Sequence, residues 1–182
     1  MKKICEEKLI ILRDAVPSDL NHYLSWMKKG EWREYDAPWE LKSQDISDLK
    51  IKELFEKLFL GKKEKPRKRA IISTKKGRPL GWVTRYSHER FDNVWLVGID
   101  ICEDDFIGKG VGSEALKLWI DYLFINSCVH RVELNTHSFN IRMIRVAEKV
   151  GFEYEGKDRG IVRWKDKWID RLKFGLLRRE WK

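Results

Sequence analysis

The sequence has little cysteine, little proline and no long apolar run, and each scarcity removes a class of protein. Its three cysteines, Cys5, Cys102 and Cys128, are odd in number and widely spaced, so the pattern suits free thiols in a reducing compartment rather than a disulfide framework. Four prolines leave no proline-rich tract, and no internal repeat, low-complexity segment or linker interrupts the 182 residues. The longest apolar runs, 9–12 and 94–99, fall far short of the roughly 18 residues a membrane span needs. Lys2 and Lys3 are followed by no apolar stretch, so the N-terminus lacks the pattern of a secretion signal. The expectation is a cytoplasmic protein with no membrane contact, forming one domain over 1–182.

What is present is apolar enough to fold. Hydrophobic residues make up 42% of the chain and nine are Trp, which argues for a packed core and against global disorder. The net charge of +9 is local: segment 61–69 carries six basic residues and one acid, and segment 157–182 carries ten basic residues and four acids. Such an excess points to an anionic ligand, a phosphorylated cofactor or nucleic acid, although a solvated lysine-rich loop is the plainer account of 61–69.

Periodicity supplies the order of elements. Leu9–Arg13 reads as a strand, and Pro17-Ser18-Asp19 opens a helix with Leu20, Tyr23, Leu24 and Met27 on one stripe. A loop over Glu31–Glu40 packs three large aromatics and four acids into ten residues. A second helix is predicted over Asp45–Leu60, followed by a hairpin, Ala70–Thr74 and Leu80–Tyr86, around Lys75–Pro79. Val94–Ile101 is a strand, Gly112–Ile125 a helix and Arg131–Thr136 a strand, which makes a βαβ unit with parallel strands. Asn140–Val150 is a helix stopped by Gly151, and Glu153–Leu177 forms two strands around Lys165–Lys167.

The chemistry centres on Asp105-Phe106-Ile107-Gly108-Lys109-Gly110-Val111-Gly112-Ser113-Glu114-Ala115, between the strand and its helix. Alternating glycines let successive backbone N–H groups converge at a helix N-terminus, where the dipole favours an anion such as pyrophosphate. The spacing G-x-G-x-G matches neither the Walker loop nor the dinucleotide fingerprint, and a glycine-rich tight turn that binds nothing is the plainer alternative.

A second segment lies one strand downstream: Asn140, followed by Glu148-Lys149-Val150-Gly151-Phe152. With Gly98-Ile99-Asp100-Ile101 before the loop and the Gly108–Leu116 loop itself, it resembles the two cofactor motifs of the GNAT superfamily of N-acetyltransferases, in particular its RimJ/RimL-like branch. The similarity covers roughly 94–156; beyond it stand only the element order and the Arg178-Arg179-Glu180-Trp181 ending.

The resemblance implies an α/β (α+β) single domain: a mixed, mostly antiparallel sheet whose parallel pair, 94–101 and 131–136, splays apart to admit acetyl-CoA, with flanking helices. It implies that the backbone of Ile99 and Ile101 pairs with pantetheine and that the amides of Ile107, Gly108, Lys109, Gly110, Val111, Gly112 and Ser113 take the pyrophosphate. It further implies that Asn140 bonds the pantetheine arm. Arg145 and Lys149, one helical turn apart, reach the phosphates or stand as exposed helix charges. Ile107 occupies a place where relatives often carry Gln or Arg, and Met143 and Ala147 occupy those where relatives put Ser or Tyr near the departing thiolate. No side-chain general acid is evident.

The implied reaction is attack of a neutral amine on the acetyl carbonyl, with a strand N–H stabilising the oxyanion. Asp100, Glu103 and His137 are the candidate bases, each with a structural alternative. Cys102 has no matched His and reads as a small buried residue, and Cys128 with His130 has no second pair, so no metal is expected. Trp32, Tyr35, Asp36 and Trp39 are the candidate acceptor site, because aromatic faces among acids attract a cationic amine; packing on the core is the alternative. The acceptor is a protein N-terminus or a small-molecule amine, and the protein a monomer or homodimer. A competing reading is an RNA- or ribosome-binding module using the basic segments, with Trp164 and Trp168 among the cations.

Overall fold

The computed structural model describes residues 2–39 and 46–181, and the expected loop end at Glu40 and helix start at Asp45 lie outside them. Eight strands form one sheet in the order β1-β2-β3-β4-β5-β6-β8-β7. They are β1 (Lys3–Glu6), β2 (Ile10–Arg13), β3 (Arg69–Thr74), β4 (Pro79–Ser87), β5 (Val94–Ile101), β6 (Arg131–His137), β7 (Glu153–Trp164) and β8 (Lys167–Leu177). Every neighbouring pair is antiparallel except β5 and β6, which are parallel and joined by a crossover through a helix. The mixed, mostly antiparallel sheet with one parallel pair that the resemblance implies is therefore the sheet observed.

Strand alternation divides the apolar residues between two cores. Ile10, Leu12, Ala70, Ile72, Val97, Val132 and Leu134 face α3 (Val111–Ile125) and α4 (Ile141–Val150), where Trp119 is fully buried and its indole N–H donates to the Thr84 carbonyl at 2.9 Å. Ile71 and Trp82 face the other way, onto α1 (Leu20–Lys28) and α2 (Asp48–Phe55), in an aromatic cluster with Tyr23, Trp26, Trp32, Phe55 and Phe59. Ser47 caps α2 by accepting the Lys50 N–H at 3.3 Å, and the chain continues as one wider π-type turn over Glu56–Leu60.

Two buried ion pairs fasten the ends of the strands, one of them to the start of α1. Arg13 at the end of β2 makes a bidentate pair with Asp19, which precedes α1, at 2.7 and 2.8 Å; Arg67 pairs with Asp14 at 2.9 Å. The sequence pattern misses β1, whose four residues Lys-Ile-Cys-Glu are too short and too polar to stand out. Among the described residues no helix is long and apolar enough to cross a membrane.

Candidate functional site

The site begins where two strands part. β5 and β6 are paired only at Val94–Arg131, Trp95–Val132 and Leu96–Glu133, while β5 stays paired to β4 as far as Ile101 and β6 stays paired to β8 as far as His137. Each strand is held from outside, so beyond Leu96 the gap between them exposes backbone groups that a sheet would otherwise bond. A cavity of about 840 Å³ fills this gap and runs from the glycine loop, through the parted strands, to the α1–α2 side.

At one mouth, Gly108 and Gly110 take φ of +76° and +83°, and Gly110 is the left-handed residue that launches α3. The first helical bond there runs from the Glu114 N–H to the Gly110 carbonyl, so the amides of residues 108–113 ahead of it are left for a ligand, whereas the Ile107 N–H, expected to join them, is spent on the Asp104 carbonyl at 3.1 Å. A Cβ built on Gly108 would meet nothing within 4 Å, which marks open space above the loop. Arg145 and Lys149 of α4 line the same cavity. Converging amides, a helix N-terminus and two cations fit the phosphates of acetyl-CoA. Val111 is instead a core residue, and Lys109 is exposed with its ammonium 5.8 Å from the Phe106 ring centroid, so these two contribute backbone only.

Asn140 lines the cavity and caps α4: its side-chain oxygen accepts the Met143 N–H at 3.0 Å, and its amide donates to the Tyr35 carbonyl at 3.4 Å. It thereby fastens the 31–39 loop to the cofactor side. Arg142, which the sequence reading did not single out, also lines the cavity, pairing with Glu31 at 2.8 Å and lying 4.9 Å over the Tyr35 ring. An exposed helical arginine carries no sequence signal of this, since its partners lie about a hundred residues away.

Alternation along β5 sends Ile99 and Ile101 toward α3 and α4 and sends Leu96, Gly98 and Asp100 toward α1 and α2. Asp100 stands opposite Trp82 on β4 and lines the cavity. Burial, and then the negative charge of Asp36, push its carboxyl well above the usual carboxylate range, against a hydrogen bond from the Trp82 side chain. His137 lines the cavity too, its ring edge-on to Trp39 at 4.6 Å and stacked on Phe139 at 6.0 Å.

Glu103 is elsewhere. It accepts the Trp26 indole N–H at 2.7 Å, bonds Arg78, and has His22 at 3.6 Å, and it does not line the cavity. Burial raises its carboxyl, but the bonds from Trp26 and Arg78 outweigh that and hold it below the usual range. The Cys102 thiol is buried and then surrounded by Asp100, Asp36, Glu103 and Asp104, which push it well above an ordinary thiol, so it is not a thiolate nucleophile near neutral pH.

The aromatic loop is divided by the structure. Tyr35 and Asp36 line the cavity as side chains of its wall. Trp32 also reaches it but is chiefly core: only 6% exposed, it lies edge-on to Trp82 and donates its indole N–H to the Trp26 carbonyl at 3.3 Å. Trp39 packs against His137, Phe139 and Trp164 rather than lining the cavity. Arg69, Trp82, Thr84 and Tyr86 complete this side, unmarked in the sequence because β3 and β4 bring them there only through sheet register. No group of three or more His, Cys, Asp or Glu among the described residues could hold a metal ion.

Part of the basic excess is spent on ion pairs. Lys157 pairs with Asp170, Arg171 and Lys173 with Asp158, Arg163 with Asp166 and Lys165 with Glu34, while Arg67 and Lys68 of the first segment pair with Asp14 and Glu64.

A parallel strand pair parted over an anion cradle at a helix N-terminus is the architecture of a CoA-dependent acyltransferase fold. The chain belongs to the GNAT acetyltransferases, for the family described as an acetyltransferase (GNAT) domain matches residues 10–153. Among curated relatives, the probable N-acetyltransferase YjcK of Bacillus subtilis is 37% identical over 70 residues, 38% of this chain. The match spans only 39% of that relative's length. Among solved structures, the spermidine N-acetyltransferase of Vibrio cholerae in complex with CoA and spermine superposes with a TM-score of 0.77 at 19% identity, covering 94% of this chain and 97% of that one. RimL, a ribosomal L7/L12 alpha-N-protein acetyltransferase in complex with coenzyme A, superposes with a TM-score of 0.74 at 15% identity, covering 97% and 98%.

Proposed function

We propose that the chain is an N-acetyltransferase of the RimJ/RimL-like branch that moves the acetyl group of acetyl-CoA to a primary amine, with residues 1–182 forming one transferase domain. The observation that carries this reading is the β5–β6 pairing that stops at Leu96 and Glu133, because it joins the glycine cradle on one face of the sheet to Asp100 on the other. Bound acetyl-CoA supplies a thioester carbonyl open to attack. The amides of residues 108–113 hold its pyrophosphate, Arg145 and Lys149 offset the remaining phosphate charge, and the free edge of β5 around Ile99 and Ile101 pairs with the pantetheine arm.

On the opposite face Asp36 draws the cationic amine in and Asp100 takes its proton. A carboxyl lifted above its usual range is a better match to an amine than an ordinary one, so burial of Asp100 favours it over Glu103, which is locked in an ion pair outside the cavity. The neutral nitrogen bonds to the acetyl carbon, the carbon–sulfur bond breaks, and CoA leaves as the thiolate because Met143 and Ala147 offer no acid; the second proton that the nitrogen sheds as the amide forms passes through water to the thiolate. Three free cysteines suit the cytoplasm. A nucleic-acid module is less well supported, since most cations of 157–181 already have carboxylate partners.

Calorimetric titration with acetyl-CoA tests the reading. A Cβ on Gly112 meets only ordinary contacts with Ile101 and Val146, so Gly112→Ala should keep micromolar binding while Gly112→Trp, filling the cradle, should abolish it. Absence of binding in the unaltered protein would sink the proposal.

A further inference from the structure

The cavity contains two arginines with no ion pair or hydrogen bond among the described residues. Arg145 stands at the cofactor mouth, where the phosphates of acetyl-CoA account for it. Arg69 has no such explanation. It lies on β3, on the face of the sheet that carries Ile71 and Trp82, whereas α3 and α4 cover the opposite face. Its guanidinium lies 5.9 Å from the Tyr86 ring centroid and its charge acts on the buried Tyr23 phenol, neither of which is a counter-ion near neutral pH. A half-buried guanidinium without a counter-ion is costly to desolvate, and an anion delivered by a ligand would relieve that cost.

Sheet register fixes where the anion would sit. Arg69 faces Thr84 and Thr84 faces Gly98, while the adjacent row joins Ile71, Trp82 and Asp100. Arg69 is therefore two strands and two residues from Asp100, about 12 Å between Cα atoms at ordinary strand spacing and rise. The surroundings of Arg69 are basic: a second cavity of about 250 Å³ meets the first at Leu58, Phe59 and Arg69 and is walled by Lys57, Lys62, Lys63 and Lys68, against Glu64 alone. The surroundings of Asp100 are acidic through Asp36. The acceptor side is thus negative at its reacting end and positive at its far end.

We propose that the acceptor is an amine bearing an anionic group, a carboxylate or a phosphate, at the end away from the reacting nitrogen, and that Arg69 is the residue that selects for it. The proposal rests on the transferase reading above and narrows it. An all-cationic acceptor such as a polyamine would set a second ammonium against Arg69 and the lysines beside it.

The test is calorimetric titration with ω-amino carboxylic acids and ω-aminoalkyl phosphates of increasing length, beside the matching monoamines and diamines, each with CoA present and with CoA absent. The anionic compounds should show a length optimum and bind about tenfold or more tighter than the monoamine of equal length, with the diamine weakest. Arg69→Gln should erase the preference and Arg69→Lys should restore part of it. Equal binding of acid and monoamine, a preference for the diamine, or a preference that survives Arg69→Gln overturns the proposal. Because acid and monoamine are compared in both states, a failure of CoA itself to bind is read separately and falls on the transferase reading.

Discussion

The two ends of the cleft are built from different material. The cofactor end is mostly backbone: unbonded amides at the start of α3, a free edge on β5 and a helix cap at Asn140. The acceptor end is side chains delivered by distant elements, with Tyr35 and Asp36 from a loop, Arg69 from β3, Trp82 and Thr84 from β4 and Asp100 from β5. Backbone recognition demands particular residue types at fixed spacing, above all glycine at positive φ, and so it marks the sequence. Side-chain recognition demands only that unrelated segments meet, which leaves no local pattern. The first end is also generic to a family, whereas the second is where one member can differ from another.

The sharpest way to break this comparison is Asp100→Asn. The side chain points to the acceptor face, so kcat should fall by about 10²- to 10⁴-fold while the dissociation constant for acetyl-CoA is unchanged. In the unaltered enzyme kcat/KM should climb as pH rises through the raised Asp100 pKa, since the base must be deprotonated, and the variant should lose that limb. A weakened acetyl-CoA titration instead would show that the two ends are not separate. The same shift has a sign for stability. A carboxyl whose folded pKa lies above its unfolded value gives stability that is complete below the unfolded value and is lost as pH rises through the folded one. Asp100→Asn should therefore raise the melting temperature relative to the unaltered protein at neutral and alkaline pH, and to a lesser extent or not at all near pH 3.

Next in size is Asp19→Ala, which strands the buried Arg13 guanidinium between β2 and α1. Loss of one partner of such a pair costs about 3–5 kcal/mol, read in denaturant unfolding. Since the pair anchors the acceptor end, the protein that remains folded should still bind acetyl-CoA. A smaller effect is expected from Arg145→Ala with Lys149→Ala: acetyl-CoA affinity should drop about tenfold and become less sensitive to salt, with KM for the amine unaltered. An unchanged salt dependence would assign both residues to the exposed helix surface.

What the sequence reveals follows the same division. β5, α3, β6 and α4 are legible because β-branched runs, helical periodicity and glycines mark their ends; the parallel pairing follows from their order, while the splay is implied only by the family resemblance. The residues that form the acceptor wall are less legible, for a physical reason. Trp32 looks like a ligand surface in sequence because it sits among acids, yet its indole is worth more inside the aromatic cluster around Trp82 than in water. Glu103, adjacent to the buried Cys102 and three residues from Asp100, turns outward to Arg78 and Trp26 instead of into the cleft. Arg69 is hidden as the last of six basic residues in 61–69; Arg67 pairs with Asp14 and Lys68 with Glu64, whereas Arg69 reaches the main cavity with no carboxylate partner among the described residues.

The finest probe of the comparison is Asp36, which belongs to a loop tied to the cofactor end through Asn140 yet acts electrostatically at the acceptor end. Asp36→Asn removes a negative charge near Asp100 without removing bulk. Two small effects should follow together. KM for the amine should rise several-fold, because an exposed carboxylate attracts a cation only modestly through screening water. The ascending limb of the pH–rate profile should also move to lower pH, because the neighbouring charge that helps hold Asp100 protonated is gone. A rise in KM with a fixed limb would make Asp36 a steering charge alone, and a limb that moves with KM unchanged would make it a tuner of Asp100 alone. Both shifts in one variant would show that the loop joins the two ends of the cleft.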